Sequence, residues 1–220
     1  MVNEAGFLEA IQKGNTEKVK SLLAGEPELV HTRTAQDLPA LLLAAYYGQP
    51  GIADLLAERR DDLDVFEAAA AGKVERLRTL LQSQPGLANA VARDGFQPLG
   101  LACFFGRLEA ARLLLDAGAE VNSASRNNQK VMPLHSAAAS RSLEIARLLL
   151  DAGADPNARQ NSDETPLQEA AANGQVALAE LLLKHGAVID AENTRGETAL
   201  SLAQKAGHTE MVEFLQSHGA

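Results

Sequence analysis

Apolar residues recur along the chain at helical spacing, in pairs of short segments that each end at a glycine. In the segment that begins at residue 165, the apolar positions i, i+3 and i+4 share one helix face; they are Leu167, Ala170 and Ala171. Thr165 suits a helix N-cap, and Pro166 suits the first turn, where a missing N–H has no cost. Gly174 suits the helix end. The pattern therefore predicts a short first helix.

A second helix is predicted over about 177–184, where Leu178, Leu181 and Leu182 form the apolar face and Gly186 follows the last turn. The next four residues, 188–191, are short, partly β-branched and flanked by turn residues, which favours an extended finger. One unit thus consists of a short helix, a turn, a longer helix and a finger.

The unit repeats at a nearly constant period in the C-terminal half. Gly118, Gly153, Gly186 and Gly219 are separated by 35, 33 and 33 residues. The leucines that begin the first helices have the same spacings; they are Leu99, Leu134, Leu167 and Leu200. A fixed period of this length is typical of a solenoid, in which each unit buries its apolar face only against its neighbours.

The N-terminal half carries a weaker form of the same repeat. Gly14, Gly48, Gly72 and Gly106 stand at the predicted ends of first helices, with spacings of 34, 24 and 34 residues. The short spacing indicates that the third unit has lost its finger. We therefore expect a single domain over 1–220 made of seven units, with approximate bounds 1–33, 34–62, 63–91, 92–124, 125–158, 159–191 and 192–220.

An older duplication is visible when the sequence is shifted by 58 residues. Glu9-Ala10 then matches Glu67-Ala68, and Tyr46-Tyr47-Gly48 matches Phe104-Phe105-Gly106. Units one and two therefore look like a copy of units three and four.

These motifs resemble the ankyrin repeat family. The resemblance rests on the stretch 132–138, Met-Pro-Leu-His-Ser-Ala-Ala, on the leucine triplets followed by Gly-Ala, and on Asn122 and Asn157 at unit ends. The turns at 26–29 and 84–87 are similar to a variant common in bacteria. The resemblance implies an all-α solenoid with short β-finger loops and a concave groove lined by first helices and finger tips. It also implies that His135 bonds loop backbone and holds units together.

Composition and charge narrow the function classes. The net charge is −9, with no basic stripe, so we expect neither a nucleic-acid partner nor an anionic membrane. The longest uncharged run, 38–53, contains Gly48, Pro50 and Gly51, and is too short and broken to span a bilayer. Residues 1–5 show no basic segment before an apolar one. We expect a cytoplasmic protein that is a monomer on its own.

The sequence contains no recognisable catalytic motif. The five histidines form no HxxxH pair, and no GxxxxGK[ST] loop occurs. The one cysteine, Cys103, replaces an alanine on a predicted buried face and is expected to be a packed small side chain. We therefore predict no enzyme activity, no cofactor and no metal.

Recognition is the remaining function class, and the aromatic residues mark a candidate surface for it. Four of the eight aromatics occupy two pairs that are expected to face the groove. The predicted partner-binding residues are these pairs with nearby aromatic and finger residues: Tyr46, Tyr47, Phe66, Phe96, Phe104, Phe105, Arg93, Asp94, Asn128 and Gln129.

Two interpretations of the aromatic pairs stay open on the sequence. In one, Tyr47 and Phe105 pack on adjacent loops and fill the space left by the small alanines of unit three. In the other, part of the cluster is exposed and binds a protein partner. The main hypothesis is a non-enzymatic protein–protein interaction module. The alternatives are a small-ligand or enzymatic protein with a pocket at the shortened third unit, and a structural or inhibitory subunit of a larger assembly.

Overall fold

The computed structural model describes residues 3–220, and within that range the regular structure is helical. Residues 1 and 2, which belong to the segment inspected for a secretory signal, lie outside the described residues. Between residues 3 and 220 no helix has the length and apolar character needed to cross a membrane. Fourteen α-helices follow in order: α1 Glu4–Gln12, α2 Thr16–Gly25, α3 Ala40–Tyr46, α4 Pro50–Ala57, α5 Val65–Ala71, α6 Val74–Ser83, α7 Pro98–Phe104, α8 Leu108–Asp116, α9 Pro133–Ala139, α10 Leu143–Asp151, α11 Pro166–Ala172, α12 Val176–Lys184, α13 Ala199–Ala206 and α14 Thr209–Ser217.

The helices form two layers. Each odd-numbered helix contacts the odd-numbered helices before and after it, and it also contacts the even-numbered helix that follows it in the chain. Two short 3₁₀ helices, Pro27–His31 and Pro85–Asn89, follow α2 and α6 at the two proline turns of the duplicated half. The predicted all-α solenoid of helix pairs is confirmed.

The core is built from alanine and leucine and runs through the whole stack. Leu114, Leu149 and Leu182 are the middle residues of the three leucine triplets, and all three are fully buried. Alanines on the odd-numbered helices, such as Ala137 and Ala170, have no exposed surface either. Because these side chains are small, neighbouring helices can approach closely and leave no room for water.

The turns between paired helices use a left-handed backbone residue. Gly14, Gly48, Gly72 and Gly106 have φ between 67° and 70°, which explains why glycine recurs there. Arg141 occupies this position in the fifth unit with φ 56°, and its guanidinium donates a hydrogen bond to the Asn173 carbonyl.

The fingers are tight turns rather than strands in the described part of the chain. One isolated antiparallel bridge joins Arg33 and Pro39. In four fingers, a backbone N–H donates to the carbonyl four residues later; the pairs are Thr34–Leu38, Ala92–Phe96, Gln160–Glu164 and Asn193–Glu197. In the finger with two extra residues, the same bond spans six residues, from Ser125 to Val131.

Adjacent fingers are joined by backbone hydrogen bonds. The N–H groups of Arg126 and Asn161 donate to the carbonyls of Gly95 and Gln129, at 2.7 and 2.9 Å. A Cβ on Gly95 would lie 2.8 Å from the Arg126 carbonyl carbon, so only glycine allows this approach. The fingers at 92–96, 125–131 and 160–164 therefore form a continuous ridge beside the odd-numbered helices.

Asparagines at the unit ends link successive even-numbered helices. The Asn122 side-chain amide donates to the Gly153 carbonyl at 3.0 Å and accepts from the Asp155 N–H at 2.9 Å. Asn157 makes the equivalent pair of bonds with Gly186 and Val188. These bonds cap the ends of α10 and α12, where helix carbonyls lack intrahelical partners.

The third unit lacks a finger, and a buried ion pair occupies the short connection instead. Residues 58–64 join α4 to α5 directly. The Arg60 guanidinium makes a two-pronged contact with the Glu67 carboxylate, and the two side chains are only 8% and 1% exposed. Glu67 also accepts the Asp64 N–H at 3.2 Å, which completes a capping box at the start of α5.

Candidate binding groove

Two cavities lie side by side between the fingers and the odd-numbered helices, and together we call them the groove. The first, of about 670 Å³, lies over the fingerless third unit and is called the third-unit cavity. The second, of about 660 Å³, lies against α7, α9 and α11 and is called the central cavity. Tyr46 and Phe96 line both cavities and form the wall between them.

The wall belongs to an aromatic cluster. The Tyr46 ring lies 6.4 Å from the Phe96 and Phe104 rings and 5.5 Å from the Phe105 ring, measured between centroids. Phe104 and Phe105 meet edge to face at 5.1 Å. Tyr46, Phe96 and Phe105 are half-buried, whereas Phe104 is 41% exposed. The predicted site residue Tyr47 is 51% exposed and makes no ring contact with this cluster among the described contacts. The cluster thus combines internal packing with an exposed apolar edge.

A long-range hydrogen bond fixes the Tyr46 ring. Its hydroxyl donates to the Asp94 carboxylate at 2.8 Å, although the two residues are 48 positions apart. Burial, and then the Asp94 charge, raise the pKa of Tyr46, so the hydroxyl keeps its proton. The Asp94 carbonyl also accepts from the Asn127 side chain at 2.9 Å. Asp94 therefore positions the aromatic wall.

The remaining predicted site residues lie at the edges of the groove. Arg93 is exposed and forms an ion pair with Asp37 of the preceding finger, at 3.1 Å. Asn128 and Gln129 are exposed on the longer finger, and Gln129 lines the central cavity. Phe66 is half-buried in the third-unit cavity and does not touch the other aromatic rings within the described contacts.

The third-unit cavity has an apolar floor and a polar mouth. Each carboxylate of its lining has a partner, since Asp37 pairs with both Arg33 and Arg93, Asp94 accepts from the Tyr46 hydroxyl, and Asp64 accepts backbone N–H groups of α5. The floor consists of Leu38, Pro39, Leu42, Tyr46, Phe66 and Phe96.

The central cavity has one acidic side chain that sequence analysis missed, Glu169 of α11. Its carboxylate accepts from the Asn173 amide at 2.9 Å, and burial raises its pKa. Two fully covered polar atoms in residues that line this cavity have no partner among the described residues, the Ser136 hydroxyl and Nδ1 of His135. The repeat pattern could not distinguish Glu169 from the other glutamates and aspartates, because acidic residues occur throughout the repeats.

The described part of the chain holds no cluster of side chains suited to a metal ion. Across residues 3–220, no three His, Cys, Asp or Glu side chains converge as metal ligands. Cys103 is fully buried, and burial raises the pKa of its thiol, which disfavours the nucleophilic thiolate.

A family model for ankyrin repeats, built on three copies, matches residues 65–160 and 157–220. The chain belongs to the ankyrin repeat family. The matched ranges cover more than half of the chain and include every residue that lines the central cavity except Tyr46. Ankyrin repeats are generally protein–protein interaction modules, and the family is generally non-enzymatic.

Curated relatives match shorter stretches. A probable E3 ubiquitin-protein ligase, XBOS31 of Oryza sativa subsp. japonica, is 39% identical over 36% of this chain and 17% of its own length. The human DNA-binding protein RFXANK is 32% identical over 34% of this chain and 29% of its own. Human ankyrin repeat and SOCS box protein 16 is 35% identical over 49% of this chain and 25% of its own. The matches therefore span less than a third of each relative's length.

The ankyrin pattern explains the unpartnered nitrogen of His135. Its Nε2 lies 3.0 Å from the Glu164 carbonyl, to which it donates, and burial lowers its pKa. In the next unit, Thr165 begins the helix and its hydroxyl accepts the Gln168 N–H at 3.3 Å. Met132 stands at the corresponding position of the fifth unit and makes no side-chain cap. Because Met132 has no hydroxyl, the N-terminus of α9 has no side-chain cap and Nδ1 of His135 has no hydrogen-bond partner among the described residues.

Substituting Met132 by threonine is expected to raise the free energy of unfolding by about 1 kcal/mol, because the hydroxyl caps α9 and bonds His135. The measurement is urea denaturation followed by circular dichroism. Met132→Val is the matched control, since it has the same branched shape without the hydroxyl. Equal stabilities of the two variants would contradict the capping explanation.

Proposed function

We propose that this chain, as one domain, is a non-enzymatic cytoplasmic module that binds another protein in its groove. The observation that carries the proposal is the exposed edge of the aromatic cluster, formed by Phe104, which lines the central cavity. Aromatic side chains dominate binding hot spots, and ankyrin repeats generally mediate protein–protein interactions.

The rigidity of the cluster supports the same proposal. The hydrogen bond from Tyr46 to Asp94 and the edge-to-face packing of Phe105 hold the rings behind Phe104 before any partner arrives. Preorganised side chains lose little conformational entropy on association, so more of the burial energy is left for affinity. The predicted rim residues Arg93, Asn128 and Gln129 would supply polar contacts around this apolar centre.

Substituting Phe104 by alanine is expected to reduce partner capture by tenfold or more, since truncation of a hot-spot aromatic costs about 2 kcal/mol or more. The measurement is affinity purification of the tagged protein from extract, with co-purifying proteins quantified by mass spectrometry. Val188→Ala is the control, because Val188 is 49% exposed and lies outside both cavities. Circular dichroism confirms that both variants are folded. Equal capture by the two variants would remove the aromatic edge from the proposal.

A second candidate function is small-ligand binding in the third-unit cavity. Its volume of about 670 Å³ lies within the range of ligand sites, roughly 300–1,000 Å³, and its floor is apolar with a few polar groups above. Native mass spectrometry of the purified protein tests this candidate directly. A bound small mass that disappears when Ala92, which lines the cavity, is replaced by tryptophan would support it. A mass equal to that of the chain alone would count against it.

A further inference from the structure

Glu169 is the acidic side chain that lines the central cavity, and it has no counter-ion there. Within residues 3–220, no lysine, arginine or histidine nitrogen lies within 4.0 Å of its carboxylate. The carboxylates of the third-unit cavity all have partners: Asp37 pairs with Arg33 and Arg93, Asp94 accepts from Tyr46, and Asp64 accepts two backbone N–H groups at the start of α5. A half-buried carboxylate with one amide donor is under-solvated, and a cation beside it would gain a charge-assisted hydrogen bond.

The surroundings of Glu169 are suited to the stem of a long basic side chain. One wall of the central cavity is apolar and consists of Tyr46, Phe96 and Phe104. Long basic side chains bury their methylene stems along such surfaces while the charged head bonds elsewhere. The Ser136 hydroxyl, which is 99% covered and unpartnered, belongs to the same cavity lining. A donor-rich head group seated beside Glu169 would have the carboxylate as its acceptor.

The length of the groove favours a polypeptide occupant. The two cavities share a wall, so a chain that crosses Phe104 continues past Tyr46 toward the third-unit cavity. The exposed amides of Gln129 and Asn161 stand on successive fingers along this path and can bond an extended backbone. The net charge of −9 attracts a basic segment over long range.

We propose that the groove takes an extended segment of a partner protein that carries a lysine or arginine close to a large apolar residue. The apolar side chain covers Phe104, and the basic head group bonds the Glu169 carboxylate. This inference rests on the proposed function, because it assigns the partner chemistry of the same groove.

The test uses a phage-displayed library of random dodecapeptides selected on the whole protein. Enriched sequences are expected to carry Lys or Arg within about four residues of Leu, Met or Phe. Synthetic versions are then titrated calorimetrically against the wild type and against Glu169→Gln, which keeps the acceptor for Asn173 but removes the charge. We expect Glu169→Gln to weaken binding about tenfold or more. The control is Glu144→Gln, which makes the same charge change at an exposed position of α10, and it is expected to leave the affinity unchanged.

Charge reversal sharpens the result. The Glu169→Lys variant is expected to reject the basic peptide and to accept the same peptide with its lysine replaced by glutamate. If peptides depend on Phe104 but bind Glu169→Gln as tightly as wild type, the inference is overturned and the proposed function stands. If no enriched peptide loses affinity in Phe104→Ala, both are overturned.

Discussion

Substituting Glu67 by alanine will lower the free energy of unfolding by about 3–5 kcal/mol, because the Arg60 guanidinium then remains buried and loses its two-pronged, buried counter-charge. Both side chains are almost fully covered, and Arg60 keeps only its contact with the exposed Asp62. The substitution also removes the acceptor for the Asp64 N–H at the start of α5. Chemical denaturation followed by circular dichroism measures the loss.

The 58-residue duplication supplies a matched control for this variant. Glu9 occupies the corresponding position of the first unit, where its side chain is 55% exposed and pairs with Lys13. We expect Glu9→Ala to leave stability within experimental error, because exposed ion pairs are screened by water. The double variant Arg60→Met, Glu67→Leu is expected to recover most of the loss, since apolar residues of similar volume replace buried pairs well. Equal effects of Glu67→Ala and Glu9→Ala would contradict this role of the ion pair.

The helical framework was predictable because its signals are local and repeated. Helix caps, glycine turns and apolar faces involve residues within four positions of one another, as at Thr165, Gln168 and Gly174. The repeat shows each signal several times, so a degenerate unit such as the first can be aligned from its neighbours. The 24-residue spacing before Gly72 also located the missing finger correctly, because α4 runs into α5 through a short connection.

The groove was harder to predict because its contacts join distant parts of the chain. The Tyr46–Asp94 bond crosses 48 residues, and no sequence pattern pairs these two positions. Glu67 and Glu9 match in the duplication, but Glu67 is buried and Glu9 is exposed. They differ because the third unit has Arg60 in place of a finger. Glu169 resembles any other helix glutamate until the central cavity forms around it.

The two interpretations of the aromatic pairs turn out to describe different residues. Tyr46 and Phe105 are half-buried and pack against each other, whereas Tyr47, which the packing interpretation also buries, is 51% exposed. Tyr47 and Phe104, their immediate neighbours in sequence, are exposed and are available to a partner. Adjacent residues at a helix end point in different directions, so composition alone could not separate them. Whether the exposed pair binds a partner stays a prediction.

Substituting Leu114 by alanine will lower the free energy of unfolding by about 2–5 kcal/mol, because it opens a cavity in the central even-numbered layer. Leu114 is fully buried on α8, which contacts α6, α7 and α10. Each unit of a solenoid depends on its neighbours, so the loss weakens the stack on both sides. Leu115→Ala deletes the same atoms from a half-buried neighbour and is expected to cost less than half as much. Urea denaturation compares the two variants, and similar losses would show that the leucine triplet, rather than its buried middle residue, carries the packing energy.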